Sequence, residues 1–266
     1  MRTGPRGSGF GPGTTVDVER REGEIGEAAF WGFVGGASLL VGAAAGYYAR
    51  LSSRLVGLVM GFGAGVLISA LAFDLTHEAY TRGGGDAVAI GLFAGGLTFF
   101  VGDWLIDRRG GEHRKRSGGQ QADGSATAIV LGALLDGIPE SAAIGISLVE
   151  GKGVGLAFVA AVFLSNVPEA ASAATGMKKA RKTPAYVFGL WTAVVAISTL
   201  AAAVGYVALG GASEEVVAVV QAFAAGAILT MLADTMMPEA FEHSGSLVGL
   251  VTLLGFACAF LLSTLD

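Results

Sequence analysis

Long apolar segments separated by short polar connections restrict the fold of this chain more than any other feature. An α-helix needs about 20 residues to cross the hydrocarbon core of a bilayer, and each of these segments reaches roughly that length. They lie at residues 28–49, 55–80, 86–106, 126–149, 153–177, 184–209, 216–240 and 245–264. In lipid only helices and closed barrels satisfy their own backbone hydrogen bonds. The pattern therefore predicts an all-α, polytopic membrane protein with eight transmembrane helices.

The composition supports a membrane protein. Hydrophobic residues make up 53% of the 266 residues and charged residues only 15%, whereas soluble domains have about 25% charged residues. The mean hydropathy is +0.63. The single cysteine, Cys258, excludes an internal disulfide and any cysteine cluster. The 43 glycines favour close helix packing.

The polar segments predict two domains of unequal size and the orientation of the protein in the membrane. Residues 1–27 are polar and rich in glycine and are expected to be a disordered tail, and residues 28–266 form the transmembrane domain. The longest connection, 107–125, is expected to be a flexible, basic loop. Eleven of the 17 Lys and Arg lie on the odd-numbered loops. Because basic residues accumulate on the cytoplasmic side, we expect a multi-pass protein of the cell membrane with a cytoplasmic 107–125 loop and both termini extracytoplasmic.

The second and seventh predicted spans resemble each other. Residues 64–72 match residues 225–233, and the same offset pairs Glu78 with Glu239. The two spans run in opposite directions if every span crosses the membrane. Antiparallel repeats around a site near the bilayer midplane are a recurring transporter design, so we expect an inverted-repeat bundle.

The fourth predicted span contains two carboxylates and a proline. Asp136 and Glu140 are four residues apart, so a helix presents them on one face. Pro139 cannot donate the hydrogen bond that would reach the carbonyl of Leu135. The segment thus gathers oxygen ligands inside an apolar helix.

The fifth predicted span repeats this arrangement. Pro168 leaves the carbonyl of Leu164 without its usual donor, and Ser165 and Asn166 precede Glu169 on the same side of the helix. Ionisable residues inside spans are rare and functional by default. Further ionisable side chains lie nearer the ends of the second and seventh spans and are candidates for an ion pathway. They are Asp74, His77, Glu78, Asp234 and Glu239.

The paired Pro-Glu motifs resemble those of the ZIP family of divalent-metal transporters, especially its prokaryotic branch. The family's fourth helix carries His-Asn-x-Pro-Glu-Gly, and this chain reads Asp-Gly-Ile-Pro-Glu-Ser from Asp136 to Ser141. The fifth helix carries His or Gln, then Asn or Asp, x, Pro and Glu, where this chain has Ser165 to Glu169. The seventh span ends Met-Pro-Glu at Glu239, as the family pattern has it. Both motif histidines are replaced, and the family's Asn is Gly137.

The resemblance implies transport of zinc, manganese or ferrous iron into the cytoplasm, with no enzymatic reaction and no tightly bound cofactor. The implied metal site lies between the fourth and fifth helices and consists of Asp136, Glu140, Ser165, Asn166 and Glu169. The side chains near the span ends would guide ions at the two mouths. The expected partners are the divalent ion and the lipid bilayer, with no nucleic acid and with a homodimer left open.

Two other functions remain open at this point. The loss of both motif histidines would fit a sensor or scaffold that keeps the fold without transport. The same carboxylates could also move protons or an organic solute.

Overall fold

All regular structure in the described part of the chain is helical. The computed structural model describes residues 15–49, 51–111, 126–149 and 155–264. Its α-helices are α1 Thr15–Tyr48, α2 Ser53–Ala70, α3 His77–Ile106, α4 Ala126–Leu148, α5 Leu156–Lys179, α6 Pro184–Leu209, α7 Glu214–Met231, α8 Met237–Ser244 and α9 Leu247–Ser263. Three π-helical segments, Leu71–Thr76, Asp107–Gly111 and Leu232–Met236, continue α2, α3 and α7. Of the predicted basic loop, residues 112–125 lie outside the described residues.

The apolar helices confirm a polytopic membrane protein. Within the described ranges, six helices are long and apolar enough to cross a membrane, and α9 is a shorter apolar helix of 17 residues. The difference from the eight predicted spans has two sources. The second and third predicted spans lie in one helical segment of 57 residues, Ser53–Arg109, which is kinked at Gly84. The last predicted span is the short helix α9.

The first helix begins earlier than the sequence predicted. Residues 15–27, expected to belong to the disordered tail, form the first turns of α1. Here the carboxylate of Glu24 accepts a hydrogen bond from the hydroxyl of Tyr206, and Ile25 and Ala28 pack against Leu148. These contacts with α4 and α6 stabilise a segment that is too polar to be recognised as part of a span. Residues 1–14 lie outside the described residues.

Helices α2 and α7, whose sequences match, also resemble each other in length, cap and ending. Helices α2 and α7 both have 18 residues, and each begins after a serine cap, at Ser52 and at Ser213. Each helix passes into a π-helical segment at the corresponding leucine, Leu71 or Leu232. An offset of 161 residues, the distance from Ser52 to Ser213, relates all these positions.

The same offset relates two breaks in the backbone. Gly84 interrupts the α3 helix with φ 72° and ψ −173°, and Gly245 separates α8 from α9 with φ 61°. Glycine adopts such a positive φ readily because it has no Cβ atom, whereas other residues rarely do. The helical segment Ser53–Arg109 therefore bends at Gly84. At the equivalent position of the second repeat, Gly245, helix α8 ends and helix α9 follows.

Helix packing follows the repeat as well. Helix α3 packs most extensively on α7, and the equivalent pair is α9 on α2. Helices α1, α4, α5 and α6 form a second group in which α1 packs on α5 and α6, and α4 packs on α6. Contacts of α2 with α5 and of α4 with α7 join the two parts. Within the described residues, the packing of α3 on α7 thus has a counterpart in the packing of α9 on α2.

Glycines bring the backbones of these pairs into direct contact. A methyl group added to any of four glycines would lie about 2 Å from a carbonyl oxygen of the neighbouring helix. These glycine–carbonyl pairs are Gly95 with Phe223 at 1.9 Å, Gly255 with Phe62 at 2.1 Å, Gly65 with Thr252 at 1.9 Å, and Gly226 with Leu92 at 2.1 Å. Because membrane helices associate through such close approaches, the pairs α3–α7 and α2–α9 depend on the absence of side chains.

We expect Gly95→Ala to lower the thermal stability of the protein, by an amount equivalent to about 1–3 kcal/mol, since the added methyl must push two backbones apart. The matched control is Gly249→Ala in α9, where no atom lies within 4 Å of the new methyl. Thermal unfolding of the detergent-solubilised protein, followed by fluorescence-detected size exclusion, measures both. Equal stability of the two variants would contradict the packing described here.

Contacts between the described turns define two opposite ends of the bundle. At one end the hydroxyl of Ser244 donates to the carbonyl of Arg54 at 2.7 Å, and the hydroxyl of Tyr47 donates to the carbonyl of Lys182 at 3.2 Å. We call this the Arg54 end. At the other, the Arg82 end, the guanidinium of Arg82 pairs with Glu214 at 2.7 Å.

Candidate metal site

All five predicted ligands are buried within the bundle. Asp136 and Glu140 lie on α4, Ser165, Asn166 and Glu169 lie on α5, and none is more than 5% exposed. Burying an ionised carboxylate costs many kcal/mol unless charge or hydrogen bonds compensate. Three buried acids in two apolar helices are therefore too costly to be incidental.

Both motif helices continue through their prolines. Pro139 lies inside α4 and Pro168 inside α5, so each removes one backbone donor from the helix interior. The carbonyl of Leu164, which Pro168 leaves without that donor, lies against α2, where a methyl on Gly63 would come within 3.1 Å of its oxygen. Proline in α5 thus coincides with a close approach of a neighbouring helix.

Helix α1 fixes the amide of Asn166. The Nδ2 group of Asn166 donates to the carbonyl oxygen of Gly35 at 3.3 Å, and that oxygen also accepts a hydrogen bond from Ser38. One residue further along α5, the carbonyl of Val167 lies 2.2 Å from the methyl position of Gly42. With the amide nitrogen turned to α1, the oxygen of Asn166 is the atom suited to a cation.

Helix α6 approaches the position at which the ZIP motif has asparagine. A Cβ added to Gly137 would lie 3.2 Å from the hydroxyl oxygen of Ser198, and Ser198 is buried. Helix α6 contains no Asp, Glu, His, Lys or Arg, so its sequence does not indicate a functional helix. The structure shows that it brings a neutral hydroxyl beside the α4 motif.

The described side chains do not form an assembled metal cluster. No group of three or more His, Cys, Asp or Glu residues lies close enough to hold a metal ion in the ranges that the structure describes. Helix α1 packs against both α4 and α5, which contact each other only slightly. The metal site of these five residues consequently stays a prediction.

At the Arg82 end, a pathway candidate lies in a polar cluster. Glu78 pairs with Arg82 at 3.4 Å and accepts a hydrogen bond from Nε2 of Gln221 at 3.3 Å. Together with Glu214, Glu78 and Arg82 line a cavity of about 310 Å³. Of the neighbouring candidates, Asp74 is half-buried and His77 is exposed. This cavity provides a water-accessible recess at one end of the bundle.

At the Arg54 end, a second pathway candidate is buried. Glu239 on α8 is 5% exposed and accepts a hydrogen bond from the hydroxyl of Ser172 on α5. His243, one turn further along α8, places Nε2 3.6 Å from Oε1 of Glu239. Asp234, in the π-helical segment before α8, is exposed. Ser172 follows Glu169 by three residues, so one face of α5 leads from the motif towards Glu239.

Four polar residues beside these glutamates were not predicted from the sequence patterns: Arg82, Gln221, Ser172 and His243. A signal for two of them was present, because Arg82 and His243 each follow a repeat-related glutamate by four residues and so share its helix face. Gln221 and Ser172 lie on other helices, and only the tertiary structure brings them to the glutamates.

The fold defines the protein as a polytopic, all-helical membrane protein with buried carboxylates. No family model matches the chain. Over 229 residues, 85% of this chain, it is 27% identical to a putative zinc transporter of Arabidopsis thaliana, of which the alignment covers 36%. The chain is thus a distant homologue of that protein and spans about a third of its length. This homology is consistent with the resemblance to the ZIP family.

Proposed function

We propose that the protein transports a divalent metal cation, zinc, manganese or ferrous iron, into the cytoplasm. The observation that supports this most is the burial of Asp136, Glu140 and Glu169 in two proline-containing apolar helices. A divalent cation would neutralise these acids at the middle of the bundle. Ser165 and Asn166 would add neutral oxygen ligands, and the distant homology to a named zinc transporter points to the same class of substrate.

The proposal includes eight membrane crossings. A straight helix of 57 residues would be about 85 Å long, nearly three times the hydrocarbon thickness of about 30 Å. The break at Gly84 divides it into two spans, as the break at Gly245 divides the second copy. Helix α9 would then be the eighth span, since 17 residues are just enough to cross.

The distribution of turns supports an inverted repeat. Among the described turns, those after spans one, five and seven meet at the Arg54 end, and those after spans two and six meet at the Arg82 end. Spans two and seven then run in opposite directions, which relates the two halves by inversion in the membrane. Movement of the group α1, α4, α5 and α6 against α2, α3, α7 and α9 would expose the site alternately to the two sides.

The orientation can be tested by labelling. Single cysteines at Ser117 and Glu215, in a Cys258→Ala background, should react oppositely with an impermeant thiol reagent added outside intact cells. Position 215 is exposed in the first turn of α7, at the Arg82 end, and we expect it to be labelled while position 117 is protected until the cells are permeabilised. Labelling of position 117 alone would place the basic loop outside.

Uptake by reconstituted protein tests the function itself. Proteoliposomes containing the purified full-length chain should accumulate zinc or manganese faster than protein-free liposomes, with saturation at high metal concentration. A sensor or scaffold would leave the rate at the protein-free level. A proton or organic-solute transporter would dissipate its own gradient without any dependence on the metal.

A further inference from the structure

The two repeats end in the same arrangement of side chains, but the residue that follows the glutamate at i+4 differs. In the first repeat Glu78 is followed at i+4 by Arg82, and in the second Glu239 is followed at i+4 by His243. The 161-residue offset relates the first pair to the second. An arginine keeps its proton and cannot bind a metal, whereas imidazole is a common ligand of transition metals. The second copy therefore differs from the first in being able to bind a metal.

We propose that Glu239 and His243 form a second metal-binding site, at the Arg54 end, for a divalent transition metal such as zinc. The distance of 3.6 Å between Nε2 and Oε1 is longer than the 2.7–3.2 Å typical of a hydrogen bond. It is close to the separation of about 3.4 Å between two ligands that each bind a tetrahedral zinc ion at about 2.0–2.2 Å. Nε2 of His243 and Oε1 of Glu239 are thus spaced to bind one metal ion between them.

The surroundings hold the carboxylate in place. Oε1 of Glu239 accepts a hydrogen bond from Ser172, and an ionised carboxylate oxygen keeps a second lone pair for a cation. Helix α8 is also fixed to α2, where the hydroxyl of Ser244 donates to the carbonyl of Arg54. Hydrogen-bonded partners of this kind orient a ligand and raise the affinity for the metal.

The exposure of the pair suits an ion in transit. The side chain of Glu239 is 5% exposed and that of His243 is 17% exposed, so the imidazole lies at the boundary between the bundle and water. Two protein ligands leave the remaining positions to water, as in open rather than structural zinc sites. On the proposed transport path the site would hold an ion after it leaves the α4–α5 motifs.

The first repeat has no equivalent site. There Arg82 bridges Glu78 and Glu214, and Gln221 occupies the other oxygen of Glu78. A guanidinium already neutralises the carboxylate, so metal binding would require its displacement. We therefore expect a metal at the Arg54 end and none at the Glu78–Arg82 pair.

Chemical protection of histidine measures this binding without any transport. Untagged full-length protein in detergent is treated with diethyl pyrocarbonate at increasing zinc concentrations, and modification of His243 and of the exposed His77 is quantified by peptide mass spectrometry. We expect zinc to slow the modification of His243 several-fold and to leave His77 unchanged. Glu239→Gln should remove the protection, and Ser172→Ala should raise the zinc concentration for half-protection by about 10–100-fold.

Controls separate this site from the proposed transport site. Protection of His243 should persist in Glu169→Gln, in the central motif, and in Glu78→Gln, in the other repeat. If zinc leaves wild-type His243 as reactive as His77, the second site does not exist. If Glu169→Gln abolishes the protection and Ser172→Ala does not alter it, the protection comes from the central site and the proposal fails. Neither result depends on whether the protein transports metal.

Discussion

We expect replacement of Glu140 or Glu169 with glutamine to abolish most metal uptake while leaving the protein folded. Glutamine keeps the shape of the side chain but removes the charge that would neutralise a divalent ion in a low-dielectric interior. The loss should exceed tenfold, since a tenfold change corresponds to only about 1.4 kcal/mol. Initial rates of zinc and manganese uptake in proteoliposomes measure it, and elution in size exclusion checks the fold.

The matched control for this charge removal is Glu242→Gln. Glu242 is exposed on α8 and belongs to neither motif, so its loss should leave the uptake rate unchanged. Wild-type rates in both Glu140→Gln and Glu169→Gln would assign the buried acids a structural role only.

We expect replacement of Asp136 with histidine to shift the metal preference towards zinc. Imidazole suits zinc, whereas carboxylate, carbonyl and water suit harder ions such as manganese. All proposed central ligands of this chain supply oxygen, so the wild type should favour manganese or ferrous iron more than relatives that keep the motif histidine. We expect the ratio of zinc to manganese uptake to rise by about tenfold, or about 1.4 kcal/mol, in Asp136→His.

Competition between zinc and manganese at equal concentrations measures this ratio in one experiment. Asp86→His is the control, because it adds an imidazole to an exposed position of α3, outside both motifs and the pathway candidates, and should not alter selectivity. An unchanged ratio in Asp136→His would show that Asp136 does not determine which metal is bound.

Much of the architecture follows from local sequence patterns. Apolar segments of spanning length predicted the helices, and the match of residues 64–72 to 225–233 predicted that α2 and α7 are related. The structure extends this relation to Gly84 and Gly245, whose positive φ angles could not be read from a sequence with 43 glycines. Likewise, the early start of α1 depends on its contacts with α4 and α6.

The candidate site was also predictable in part from local sequence patterns. A carboxylate in an apolar run is conspicuous because its burial is costly, so Asp136, Glu140 and Glu169 were predicted to be functional. All three are buried in the structure. Polar residues such as Ser172 and Ser198 cost little in a membrane helix and carry no such signal. Their importance arises from packing between helices distant in the chain, which no local pattern reports.

Locating the metal tests the central claim most directly. Crystals of the full-length protein grown with manganese or zinc would be measured at the absorption edge of that metal. We predict an anomalous peak within about 2–3 Å of carboxylate oxygens of Asp136, Glu140 or Glu169. An anomalous map without a peak beside these carboxylates, from protein that accumulates the same metal in proteoliposomes, would contradict the account.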